Sequence, residues 1–303
     1  MAKRTAPTVP DLHGKTILIT GGNTGIGLET AVALARAGAT VTITARDAAK
    51  GKAAVDEIRS RSGSTDVDVM DLDLASFASV REFAPKYAAD HPSLDVLVNN
   101  AGLMLTQRRV TEDGNEMTFQ VNHLGPFLLT NLLHDPIVAA GRAGGARVVN
   151  VSSDAHKQGG KTLDFDDLQS PGGVSATNSM KVYGRTKLEN ILFTRELARR
   201  WADDGVKSNA VHPGFVRSGF GRDGDGGKLF DLIMPVIGLL ALSPEQGAYT
   251  SVYVASSPEV EDVTGKFFAK CKELTPSAAA QDDAAAAKLW DVSADLTGLT
   301  TPS

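Results

Sequence analysis

A tyrosine and a lysine four residues apart, Tyr183 and Lys187, stand in the segment SMKVYGRTKLENILFTRELARRW, residues 179–201. The segment has the apolar spacing of an amphipathic helix. A separation of four places the two side chains on one face, one turn apart. A phenol with an unperturbed pKa near 10 is ionised to about one part in a thousand at pH 7. A neighbouring ammonium favours the phenolate. Lowering that pKa by two to three units corresponds to roughly 2.7 to 4 kcal/mol and brings the group towards the pH at which general acid–base catalysis works. Alone, the pair is a weak signal: a chain with four tyrosines shows it by chance about one time in five. Its meaning depends on what the rest of the chain places beside it.

A second candidate lies near the N-terminus. The apolar run TILIT, residues 16–20, leads directly into TGGNTGIG, residues 20–27, and then into the helical pattern LETAVALARAGA. In a parallel sheet ligands bind beyond the carboxyl ends of the strands. A helix N-terminus there offers unpaired N–H groups and partial positive charge to a pyrophosphate. Gly21 allows the tight turn, and Gly25 and Gly27 let backbone and phosphate approach closely. Gly21, Asn23, Thr24, Gly25, Ile26 and Gly27 are therefore candidate cofactor-binding residues.

These elements need a frame. Short β-branched runs alternate with longer helical patterns: TVTIT at 40–44, VDVMDLD from 67, LDVLVNNAG at 94–102, ARVVNVSS at 146–153 and VKSNAVHPG at 206–214. Continuous apolar strands alternating with helices predict an α/β fold, a doubly wound parallel sheet covered on both faces. No linker or repeat interrupts it. Residues 1–13 read as an extension and 14–303 as one Rossmann-type domain, with loop segments near 154–178 and 215–243. Net charge of −5 argues against a nucleic-acid surface. The single cysteine, Cys271, and the absence of a secretory signal suggest a reducing, cytoplasmic setting. The six histidines are scattered and predict no metal site. The apolar stretch LFDLIMPVIGLLAL, residues 229–242, is too short to span a bilayer and is read as a lid.

The glycine turn, T-G-x-x-x-G-x-G, resembles that of the short-chain dehydrogenase/reductase superfamily. Further matches follow in order: DLDLAS from 71, NNAG at 99–102, FQVNHLGPFLLTNLL at 119–133, VVNVSS, YGRTK and HPGFV at 212–216. The segments LDLASFASVREFA, KLENILFTRELARR and KLWDVSADLTGL resemble the retinol dehydrogenase and WW-domain oxidoreductase branch. The chain departs from that branch at Pro126, where His is frequent, and in showing no membrane-anchoring N-terminal segment. The resemblance implies about seven strands in the order 3-2-1-4-5-6-7. It implies a catalytic set of Asn122, Ser153, Tyr183 and Lys187. Ser153 would hydrogen-bond the substrate oxygen, Tyr183 would act as acid–base, Lys187 would lower its pKa and hold the nicotinamide ribose, and Asn122 would support a proton-relaying water. Asp73 and Leu74 are placed near the adenine. Asn100, Ala101 and Gly102 line the cofactor, as do Pro213, Gly214 and Val216. His156 and Phe215 are expected to border the substrate with Ser153 and Tyr183.

The cofactor expected is NADP(H) rather than NAD. The residue ending the second strand of this fold meets the adenosine ribose, where an acidic side chain selects NAD. Here the position is Ala45, followed by Arg46, whose guanidinium can grip a 2′-phosphate. Asp47 is read as a helix cap. Substrate specificity is assigned to Leu103, Met104, Phe165 and the segment from Phe215 to Leu240, whose apolar character suits a lipophilic alcohol, aldehyde or ketone. Two other readings stand beside this one: a C=C reductase of the protochlorophyllide type, and a catalytically inactive nucleotide sensor. The resemblance also implies a homodimer, through helices near 113–133 and 178–202.

Overall fold

The computed structural model of the chain describes residues 5–216 and 241–299. Most of the loop segment near 215–243, including most of the apolar stretch expected to form a lid, lies outside the described residues. Strands β1 (Thr16–Ile19), β2 (Thr40–Ala45), β3 (Val67–Asp71), β4 (Val96–Asn99), β5 (Ala146–Val151), β6 (Val206–His212), β7 (Phe267–Ala269) and β8 (Lys272–Leu274) form one sheet in the order 3-2-1-4-5-6-7-8. The first seven run parallel, in the predicted order. The eighth is an addition: it turns back antiparallel on β7 through Lys270 and Cys271, both at positive φ. Its three residues, Lys-Glu-Leu, are exposed and carry no apolar run, so periodicity does not reveal it.

Helices cover both faces. One face carries α1 (Gly25–Arg36), α2 (Ala48–Ser62) and α8 (Pro244–Ser256), and packs Ala31, Val32, Ile58 and Val252 on Ile17, Val41 and Val98. The other face carries α3 (Phe77–Asp90), α6 (His134–Gly144), α7 (Ser179–Arg200) and α9 (Asp283–Thr297). A broken helix, α4 (Met117–Phe119) and α5 (Gly125–Leu132) joined by a π-helical turn at Gln120–Leu124, completes this layer. Local chemistry sets several ends. Asp47 caps α2 by accepting from Lys50 N at 3.0 Å, and Gly63 ends it at φ 80. Ser243 and Gln246 form a reciprocal box at the start of α8. Among the described residues no helix is long and apolar enough to cross a membrane.

The chain's own C-terminal helix, α9, packs on α5 and α7. Trp290 of α9 meets Phe127 of α5 edge-on at 5.0 Å and lies over Phe193 of α7 at 5.9 Å. Arg195 and Arg200 of α7 pair with Asp283 and Asp291 of α9. Helix α7 is buried along most of its length.

Candidate active site

The two candidate motifs meet at the carboxyl edge of the parallel strands, where this fold class binds its ligands. At the glycine turn, Gly21 and Gly25 take φ of 62° and 57°, the left-handed region that only glycine enters without strain. A Cβ on Gly27 would press into the Gly21 carbonyl oxygen and Asn100 Nδ2. Thr24, the N-cap of α1, makes no side-chain capping bond, so the first-turn N–H groups of α1 face outward without a partner from their own cap. A glycine cradle closed by a helix N-terminus fits a pyrophosphate. The residues that would hold the dinucleotide are thus Gly21, Asn23, Thr24, Gly25, Ile26 and Gly27, with Arg46 exposed at the end of β2 and Ala45 buried beside it.

Asn100 supports this turn directly. Its Nδ2 donates to the Thr20 carbonyl at 2.8 Å and to that of Gly21 at 3.2 Å. Thr20 Oγ1 accepts in return from the backbone N–H of Asn100 and Ala101, at 2.9 and 3.0 Å. Thr20, the first residue of the T-G-x-x-x-G-x-G turn, is not among the candidate cofactor residues; its signal is a hydroxyl buried directly after β1 and before the first glycine. Asp73 uses Oδ1 to accept from Ala75 N at 2.9 Å, tying its own turn. Leu74 is buried, with its backbone against Gly125.

At the catalytic end, Ser153 follows β5 and begins a 3₁₀ turn at Asp154–Gln158, with Oγ accepting from Ala155 N at 3.1 Å. Tyr183 stands in the second turn of α7, half-buried, with the Ser153 side chain beside its hydroxyl. Two glycines set that pairing. A Cβ on Gly159 would come 2.9 Å from Arg185 Cα, and one on Gly184 would strike the Ala155 carbonyl. The 3₁₀ turn therefore lies directly on α7, one residue from Tyr183, and any side chain at either glycine would push Ser153 and Tyr183 apart.

Lys187 is 3% exposed, and its Nζ donates to the Val151 carbonyl at 2.9 Å and lies 5.4 Å from the Tyr183 ring centroid. Burial draws its pKa down to about 8. Burial also pushes the Tyr183 phenol above its ordinary value, and the Ser153 side chain beside it opposes this only in part. Desolvation, which charge pairing leaves out of account, is the larger influence on both groups.

Asn122 sits in the π-helical turn, a distortion that recurs at functional sites. Its Oδ1 accepts from Leu103 N at 2.7 Å, and its Nδ2 donates to the Leu103 carbonyl at 2.8 Å and to Thr186 Oγ1 at 3.0 Å. The side chain is a clamp between the exit of β4 and α7. Gly102 lies between Asn122 and Lys187: a Cβ there would stand 3.1 Å from Asn122 Oδ1 and 3.4 Å from Lys187 Nζ.

His156 takes a different place from the one expected at the substrate. It is fully buried, its Nδ1 lies 2.7 Å from the Ser153 carbonyl oxygen, and its Nε2 accepts from Ser277 N at 3.1 Å. Both nitrogens are committed to backbone, so the ring buttresses Ser153 from behind. Phe165 carries Lys288 of α9 over its ring at 4.1 Å. Beyond β6, Gly214 takes φ 97° and Val216 bridges to Leu242, while Phe215 is 52% exposed. His212 Nδ1 accepts from Asp154 N at 3.2 Å, which brings the Pro213–Gly214 turn beside the Ser153 turn.

Below the site runs a buried polar layer of residues that lie inside the quoted motifs but to which no role is assigned there. Asn99 Nδ2 donates to Thr130 Oγ1 and Asn150 Oδ1, and Asn150 Nδ2 donates to Thr194 Oγ1. Beside it, Arg185, 2% exposed, donates to Asp167 Oδ2, the Leu168 carbonyl and Ser170 Oγ, fastening the 154–178 insertion to α7.

Comparison with known proteins gives this geometry a lineage. Residues 15–164 match the profile of the short chain dehydrogenase family. Retinol dehydrogenase 13 of Homo sapiens is 43% identical over 98% of this chain and 88% of its own length. A protein from Mycobacterium Paratuberculosis of known crystal structure is 32% identical, with a TM-score of 0.76 over 99% of this chain and 100% of its own. One from Beutenbergia cavernae, solved with NADP bound at low occupancy, is 26% identical, with a TM-score of 0.65 over 90% of this chain and 99% of its own. The chain belongs to the short-chain dehydrogenase family of oxidoreductases. Within that family it stands in the retinol dehydrogenase-like branch, with relatives at 41–43% identity over most of its length.

Proposed function

We propose that this protein is an NADP(H)-dependent oxidoreductase that moves a hydride between nicotinamide and a lipophilic alcohol–carbonyl pair, with Tyr183 as the general acid–base. The observation that carries the reading is the gathering of Ser153, Tyr183 and buried Lys187, whose Nζ lies 5.4 Å from the Tyr183 ring centroid, at the same sheet edge as the glycine cradle. A bound nicotinamide supplies the hydride donor or acceptor. The chain's own residues handle the substrate oxygen and its proton. Ser153 Oγ donates to that oxygen and orients it. Tyr183 gives it the phenolic proton in reduction and takes one in oxidation. Lys187 holds positive charge near the ring that becomes phenolate, in a site dry enough for the charge to count. Asn122 fixes the Leu103 backbone beside them.

Arg46 supports NADP(H), since Asp47 is occupied in capping α2 and the β2 end offers no carboxylate to a ribose 2′-hydroxyl. The relative solved with NADP agrees with this choice. The retinol dehydrogenases among the relatives support a lipophilic alcohol or aldehyde as substrate. The test is a panel of long-chain and polyene aldehydes and ketones with NADPH and NADH, followed at the absorbance of the reduced cofactor, and the corresponding alcohols with the oxidised cofactors. Turnover with NADPH on apolar carbonyls is expected. No turnover of any member in either direction would overturn the reading.

A further inference from the structure

His123 follows Asn122 in the π-helical turn and has no part in the chemistry above. It is 1% exposed, and its ring stacks on Phe119 at 5.6 Å and meets Phe193 edge-on at 6.1 Å. A phenylalanine or leucine would fill such a space, and a polar ring buried among apolar ones costs stability unless it is hydrogen-bonded. Its bond is to the C-terminal helix: Nε2 lies 2.8 Å from Ser293 Oγ, and Ser293, itself fully buried, donates to the Leu289 carbonyl at 2.7 Å. Burial holds the ring neutral, with its pKa pulled down to about 3.

The backbone on either side of this ring leads to the catalytic residues. One residue earlier in the turn, Asn122 is bonded instead to Leu103 and Thr186. A π-helical turn has one residue too many for an α-helix and is held by its surroundings. Here it is held from two sides, by Asn122 towards α7 and by His123 towards α9.

We infer that His123 and Ser293 are a positioning pair, through which the C-terminal helix sets the π-helical turn so that Asn122 stays locked on Leu103 and Thr186 beside Lys187. The active site is thus completed by a helix that contributes no group to the chemistry. Its kinetic consequence rests on the oxidoreductase reading above; its structural consequence does not.

The experiment compares His123→Phe, Ser293→Ala and Ser293→Thr with the native chain by two readouts. The first is kcat per cofactor-binding site, with NADPH stoichiometry measured on each preparation so that unfolded protein is not counted. A shift of an ångström or less at a reacting group costs one to two orders of magnitude, so His123→Phe should lower kcat about tenfold with KM changed less than about twofold, Ser293→Ala about threefold to fivefold, and Ser293→Thr should restore the native value. The second is solvent exchange of the Asn122 side-chain amide protons by NMR, with Asn131 as internal control. Exchange at Asn122 should quicken at least about fivefold in Ser293→Ala while Asn131 is unchanged, because the clamp opens locally. Unchanged kcat per site and unchanged Asn122 exchange, with only a lower melting temperature, would show a core-filling role and overturn the inference. If His123→Phe fails to fold, the Ser293 pair decides. If the native chain turns over no substrate, the oxidoreductase reading fails, and Asn122 exchange alone decides for or against the positioning pair.

Discussion

At the nucleotide turn the ligand-facing shape is made by backbone and the absence of side chains, with Asn100 and Thr20 bracing it from behind; at the catalytic helix the contacts are made by side chains reaching distant backbone. Gly21, Gly25 and Gly27 shape their cradle within seven residues. Asn122 is held to Leu103 across 19 positions, Lys187 to Val151 across 36, and His156 to Ser277 across 121. The glycine cradle itself is damaged by adding atoms. A web of buried side chains can be damaged by removing any one of them, since each partner left unpaired carries a desolvation penalty. The two halves should therefore fail differently.

Removing the Tyr183 hydroxyl breaks the catalytic half and spares the other. Tyr183→Phe should lower kcat by at least about two orders of magnitude, the scale of acid–base catalysis, with NADPH affinity nearly intact. Retention of more than about a tenth of the native kcat, with chemistry rate-limiting, would remove the acid–base assignment.

Next in size is the choice of cofactor, which tests the nucleotide half alone. A charged hydrogen bond from Arg46 to a 2′-phosphate is worth about 1.5 to 3 kcal/mol, so NADPH should be preferred over NADH by roughly 10- to 150-fold. Ala45→Asp with Arg46→Leu should reverse the preference, by adding a repulsion and removing an attraction. Equal kcat/KM for the two cofactors in the native chain would contradict the assignment.

Adding one methyl group at the turn sharpens the contrast. The Cβ of Gly27→Ala meets backbone oxygen and the Asn100 amide, neither of which can move freely. Overpacking of this kind costs about 1 to 3 kcal/mol, and calorimetry should show it together with weakened NADPH binding. Unchanged affinity would mean that the turn does not hold the pyrophosphate.

The smallest effect concerns Glu189, fully buried on α7 between Arg185 and the carboxylates of Glu116 and Asp167. Burial pushes its pKa up to about 8, from 4.5 in the unfolded chain. Between those two values the folded state binds more protons than the unfolded one, so stability falls as pH rises through the window. Glu189→Gln carries no titrating proton. It should change stability little at pH 6, within about 1 kcal/mol, and should flatten the decline towards pH 8. Identical pH dependence of the melting temperature in both proteins would show that Glu189 does not titrate in this range.

The nucleotide half was legible in the sequence for the same reason it is robust. The strand–turn–helix alternation, the glycines at fixed offsets and the Asp47 cap are written in neighbouring residues, and the stereochemistry that reads them is local. The order of the seven parallel strands and the meeting of Asn122, Ser153, Tyr183 and Lys187 were legible too, because a family resemblance places short motifs on known strands. The remainder was decided by tertiary packing. Whether His156 faces a substrate or a backbone amide depends on where Ser277 arrives. Phe165 meets Lys288 because α9 lies against the insertion, and α9 also covers α5 and α7. The sign of the Tyr183 shift follows from how much water the fold removes around the phenol. Each of these depends on atoms brought together from far along the chain, and desolvation, unlike turn geometry or helical period, has no value until that packing exists.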